Sequence, residues 1–389
     1  MTTTTTLSKA REWLVNSLPT LEELHSVAAE ITGLSDFGPP DYVAGLESIL
    51  FSYQHEAALT PLGVEMARDE LITILMARLF SEAGWQQYPE HATVPIEQPV
   101  FIIGAPRTGT TTLHRLLTAD PGHQGLELWL GYAPQPRPAS SQWPSNPVFQ
   151  LVQAGVEKFY EQHPRYRGIH DRNAAKVEEC WLLTRQSMLS AYFEFTGHVP
   201  SYTAWLAAQD WTEAYLRHRR NLQLIGLNDA GRRWVLKSSS HMLCLDALFA
   251  AYPDALVIRT HRRPASTVVG SACSMASTLA AGKSLVFQGS SIGPELLELA
   301  GRALGRFAED RSRHDPARFY DVEFDEFTRD PLGIVAEIYQ RLGEQLTPDV
   351  LAGMSAVLAK DERLRAHRYD IADYGVSPEQ ADARLAALL

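Results

Sequence analysis

Apolar and polar positions alternate along this chain in a way that predicts strands followed by helices. Four short runs, VFII (100–103), WVLKS (234–238), ALVIRTH (255–261) and FYDVEF (319–324), each lead into a segment with helical spacing. Short runs of this kind, separated by helix-length stretches, read as strands of a parallel sheet joined by crossover helices. The expected fold class is therefore α/β, a parallel sheet flanked by helices. Ligands of such sheets collect at the carboxyl ends of the strands. The ends that stand out read GAPRTGT, KSSSH and HRRPAS.

Residues 1–95 carry a different pattern. In TLEELHSVAAEI, Leu21, Leu24, Ala28 and Ile31 share one helical face, and Thr20 with Glu23 forms a capping box. VEMARDELITILMARLF is a second periodic helix, and the proline-containing YPEHATVPIEQP separates this helical N-terminal region from the first strand. The threonine run within residues 1–7 reads as a disordered tail. About 130 residues separate the first two strands, far more than one crossover needs. They predict a helical insertion over 130–230, rich in aromatics (Trp181, Tyr192, Phe193, Phe195, Tyr202, Trp205) that pack the sheet or line an acceptor pocket. The core is expected over 96–345, with a C-terminal segment over 346–389.

Composition narrows the function. The 389 residues carry a formal charge of −11, against the basic excess of a nucleic-acid binder. Any anionic ligand must then be met by local cations. Cys180, Cys244 and Cys273 lack zinc or CxxC spacing and read as reduced thiols. No apolar run has membrane-span length, and the first residues do not read as a signal peptide, so a cytoplasmic protein is expected.

The chemistry is carried by three strand ends. Gly104-x-x-x-x-Gly109 matches the start of the nucleoside-triphosphate loop, yet Thr110 stands where its lysine belongs and Arg107 lies inside the loop. Without that lysine the loop still offers backbone N–H groups, Thr108, Gly109, Thr110, Thr111, Thr112 and the Arg107 fork to one phosphate. At the second end, Lys237 closes a strand and His241 follows in the next turn. At the third, Arg262 and Arg263 precede a helix bearing Ser271 and Ser274, a possible second phosphate clamp. Read as bland structure, these are a glycine turn, a surface lysine and a charged loop. Three cationic ends on one sheet argue for a site.

The set PVFIIGAPRTGTTTLHRLL, WVLKSSSHMLCLDALFAAYPDA and THRRPASTVVGSACSM resembles the PAPS-dependent sulfotransferases. The nearest likeness is the bacterial branch with PR[ST]GTT, LKSPxH and HRDP motifs. The resemblance runs over residues 98 to 385 and implies a nucleotide-kinase-like P-loop fold. It implies 3′-phosphoadenosine 5′-phosphosulfate (PAPS) as co-substrate and no metal. The aromatics of the insertion favour a small, largely apolar alcohol or phenol as acceptor over an anionic polysaccharide, and the sequence leaves monomer and homodimer both open. By position, Arg107 and Thr108 to Thr112 match the 5′-phosphosulfate loop. Arg262 and Ser271 match the 3′-phosphate clamp, although Ser271 lies nine residues after Arg262 and eight after Arg263. Residues Arg365 to Gly375 resemble the segment that closes over the nucleotide. Ser239 replaces the proline of KSP, Arg263 the aspartate of HRDP, and Leu130 a glutamate found in relatives. Arg107 and Lys237 are expected to stabilise charge on the leaving phosphate; His170, Glu178, Glu179 and His241 are candidate bases. A kinase of the same loop ancestry, which needs the lysine and an acidic magnesium ligand, and a nucleotide-binding protein without turnover are the competing readings.

Overall fold

The computed structural model describes residues 17–164, 166, 171–361 and 369–388. Five parallel strands form its sheet: β1 (Val100–Ile103), β2 (His123–Gln124), β3 (Arg233–Lys237), β4 (Leu256–His261) and β5 (Phe319–Glu323), in the order β2-β3-β1-β4-β5. Four of the strands lie where the apolar runs predict them. The fifth, β2, has two residues, too few to carry a periodic signal.

Every residue of β1 is buried, as expected of a central strand covered on both faces. Side chains alternate between the two faces. Phe101 and Ile103 join Trp234, Leu236 and Val257 in one apolar cluster. Val100 and Ile102 join Val235, Ile258 and Val322 in the other, with Leu113, Leu116 and Ile338 from the covering helices. The first cluster also takes in Leu24, Leu46 and Ile74. The N-terminal helices therefore share the core of the sheet. Thr20 caps the Leu21–Thr32 helix in a capping box, and Pro61–Gln87 is one continuous helix.

From β1 the chain moves first to the β3 side and then to the β4 side, so β1 is the strand at which the order reverses. The crevice outside its carboxyl end is the natural ligand position in such a sheet. The insertion contributes helices at Pro147–Gln162, Pro200–Ala207 and Thr212–Ile225 plus short turns between them. Two long helices, Ala265–Leu279 and Ile292–Arg311, pack together beyond β4, and the C-terminal helix Pro378–Leu385 lies against both. All three cysteines are buried and unpaired. Among the described residues no helix is long and apolar enough to cross a membrane.

Candidate active site

The loop after β1 is held open by its own glycines. Gly104 has φ 153° and lies so close to β4 that a Cβ would run into Thr260 Oγ1. Gly109 caps the following helix (Thr110–Leu117) at φ 92°. The first N–H groups of a helix have no intrahelical acceptor and carry the positive end of its dipole. Arg107 also stands in the left-handed region, at φ 67°. An L-residue held there costs on the order of 1–3 kcal/mol, and such strain clusters at functional sites. Among the described residues its guanidinium takes no hydrogen-bond or ion-pair partner.

Thr108 is different from its neighbours. Its hydroxyl donates to Ala105 O at 2.7 Å and pairs with Thr260 Oγ1 at 2.6 Å, fully buried. It locks the loop onto β4, while Gly109, Thr110, Thr111 and Thr112 line the cleft above. A second tie comes from Ser239, at the position of the expected proline, whose hydroxyl donates to Gly104 O at 2.6 Å.

Lys237 ends β3 with its side chain 4% exposed. Its ammonium contacts Glu179 Oε1 at 2.9 Å and Thr111 Oγ1 at 3.3 Å. Two backbone bonds fix that carboxylate: Glu178 N–H donates to Leu126 O at 2.7 Å, and Cys180 N–H to Lys237 O at 2.9 Å. The adjacent Glu178 is buried, 3.4 Å from Arg172 Nε. Burial disfavours charge on Arg172, yet Glu178 and nearby tyrosines raise its pKa above the usual arginine value.

Arg262 donates to Arg107 O at 3.3 Å and stacks 4.0 Å over Phe324, which places its guanidinium in the cleft wall. Arg263 is exposed and outside that wall. Ser271 is 2% exposed; it lies one helical turn before the cleft-lining Met275 and is not itself part of the wall. Tyr369 covers this stretch, its ring against Gly270 and its hydroxyl donating to Thr267 O at 2.7 Å. Arg365 lies outside the described residues, as does His170.

The structure does not bring His241 to the cleft. A 3-10 turn, Ser239–Leu243, directs it into the core, where it bonds the Tyr215 hydroxyl and meets Phe101 edge-on. Desolvation, with the neighbouring His218, drives its pKa well below the ordinary value.

Arg107, Gly109 to Thr112, Glu178, Glu179, Lys237 and Arg262 line one cleft of about 740 Å³. The same chamber is walled by apolar side chains: Met275 and Leu279 from one long helix, Leu296 and Leu299 from the other, and Trp181 and Phe195 from the insertion. Trp181 stacks on Tyr192 at 4.5 Å. Phe193 and Tyr202 are core residues instead. Among the described residues no group of three His, Cys, Asp or Glu is arranged to hold a metal ion.

Residues 99–348 match the model of the Sulfotransferase family. The chain belongs to that family. Sulfotransferase STF1 of Mycobacterium tuberculosis H37Rv is 47% identical and superposes with a TM-score of 0.88 over 95% of this chain and 99% of that one. Sulfotransferase STF9 of Mycobacterium avium is 26% identical, with a TM-score of 0.85 over 96% of each chain. Omega-hydroxy-beta-dihydromenaquinone-9 sulfotransferase Stf3 of Mycobacterium bovis is 24% identical over 322 residues, 76% of this chain and 73% of that protein. This enzyme is a sulfotransferase, and the general co-substrate of its family is PAPS.

Proposed function

We propose that this sulfotransferase transfers the sulfuryl group of PAPS, without a metal, to a hydroxyl on a small apolar or amphipathic alcohol or phenol. The observation that carries the reading is one cleft lined both by cations from three strand ends, Arg107, Lys237 and Arg262, and by apolar side chains of the long helices and the insertion. The loop from Arg107 to Thr112 suits one phosphate and one sulfuryl group, with Thr108 fixing the loop rather than touching the donor. Arg262, rather than the exposed Arg263, suits the 3′-phosphate, and Tyr369 closes the helix start near Ser271.

In-line transfer leaves negative charge on the departing 5′-phosphate oxygen. Cations aimed there stabilise the transition state more than the ground state. We assign this role to Arg107, which has no competing partner among the described residues, and to Lys237. Arginine stays protonated and contributes charge alone; lysine has three donors to share. The name of the relative Stf3 records an omega-hydroxy acceptor, which fits a hydroxyl delivered from an apolar body.

The test is transfer from PAPS to a panel of linear alcohols, phenols and a heparin-like polysaccharide, followed by mass spectrometry for added SO3. Sulfation of the apolar alcohols or phenols is expected. Sulfation of the polysaccharide alone contradicts the acceptor assignment.

A further inference from the structure

We propose that Glu179 is the general base of the transfer and that Lys237 holds it inactive until the donor binds. This rests on the donor reading given above. Three carboxylates line the cleft among the described residues, Asp171, Glu178 and Glu179. Asp171 is paired with Lys176 and lies 4.0 Å from Arg115. Glu178 is buried beside Arg172. Glu179 is paired with Lys237 at 2.9 Å, the cation that the donor's 5′-phosphate also requires.

The backbone sets this division. The bonds from Glu178 N to Leu126 O and from Cys180 N to Lys237 O hold the segment against the end of β3. Glu178 therefore meets Arg172 while Glu179 meets Lys237. The Glu179 side chain is 25% exposed, against 5% for Glu178. It is the more accessible carboxylate, in the cleft that the apolar side chains wall.

The Lys237 ammonium donates to Glu179 Oε1 and so occupies the oxygen that an acceptor O–H would need. When the donor's phosphate recruits Lys237, that oxygen is released to accept from the acceptor. The acceptor O–H then gives its proton to Glu179 as its oxygen forms the new bond to sulfur. The bond from sulfur to the bridging oxygen breaks, and its electron pair leaves on the 5′-phosphate, facing Arg107 and Lys237. One exchange of partner thus readies both leaving-group stabilisation and the base.

The experiment compares the full-length wild type with Glu179→Gln, and with Glu178→Gln as a control. Binding of 3′-phosphoadenosine 5′-phosphate (PAP) is measured by calorimetry, and turnover with PAPS and the alcohol panel by mass spectrometry. A carboxylate that competes for Lys237 opposes nucleotide binding, so E179Q is expected to bind PAP about fivefold more tightly. The same variant is expected to lose about 10²–10⁴-fold in turnover. E178Q, which leaves the Lys237 pair intact, is expected to keep the wild-type PAP affinity. Tighter nucleotide binding with slower transfer is a combination that simple structural damage does not produce. If wild type binds PAP and E179Q binds it no more tightly, the gate is wrong. If E179Q turns over like wild type, the base is wrong. Failure of the folded wild type to bind PAP at all overturns the donor reading on which both rest.

Discussion

Arg107 is the residue at which function and backbone preference conflict. Its φ of 67° suits glycine, yet an arginine is present. Arg107→Gly is expected to leave the melting temperature unchanged or raise it, because relief of strain offsets the added freedom of the unfolded chain. Transfer from PAPS should fall by about 10²–10³-fold. Thermal unfolding and a rate measurement on the same preparation check both halves, and a marked loss of stability contradicts the assignment. Arg107 and Lys237 were legible because a loop motif and a strand end are local in sequence. The inward turn of Thr108 toward Thr260 and of His241 toward Tyr215 was not, since each depends on a partner 152 or 26 residues away. Glu179 was visible as a candidate, but its pairing with Lys237 depends on backbone bonds to Leu126 and Lys237 that no spacing reveals.

The same contrast holds for elements. Strands β1, β3, β4 and β5 announce themselves as apolar runs, whereas β2 exists only as a partner for β3. The proline-rich insertion was recognisable by its length, but the assignment of its aromatics to chamber or core required the fold. Less legible still was the C-terminal helix Pro378–Leu385, whose Asp382 accepts from Ser266 N–H at 3.0 Å. It caps from a distance the helix that carries Ser271 and walls the apolar chamber. Asp382→Ala is expected to cost about 0.5–2 kcal/mol of stability. It should also weaken PAP binding by loosening the helix start beneath Tyr369. Calorimetric unfolding with and without PAP reads both effects, and an unchanged PAP affinity separates the cap from the nucleotide site.

At the scale of the whole molecule, burial of neutral imidazoles links stability to pH. His114, buried beneath the phosphate loop and further disfavoured by Lys237, has its pKa lowered to about 3, and burial lowers that of His218 to about 3 as well. In the unfolded chain both titrate near the ordinary value of about 6.5. Below that pH the unfolded state binds protons that the folded state refuses. Their contribution is thus fully present above about pH 6.5 and is lost as pH falls toward 3, by about 1.4 kcal/mol per pH unit for each imidazole. Urea unfolding between pH 7 and 5 is expected to show this steep loss, and His218→Phe to make it shallower. On the proposed function the cleft holds a nucleotide with a 3′-phosphate and a single 5′-phosphate arm. The most direct measurement is thermal stabilisation of the purified protein by PAP, AMP and ATP with magnesium. PAP near 100 times its Kd is expected to add about 2.7 kcal/mol of stability, far more than AMP at the same concentration and irrespective of magnesium. Stabilisation by ATP with magnesium in preference to PAP would contradict it.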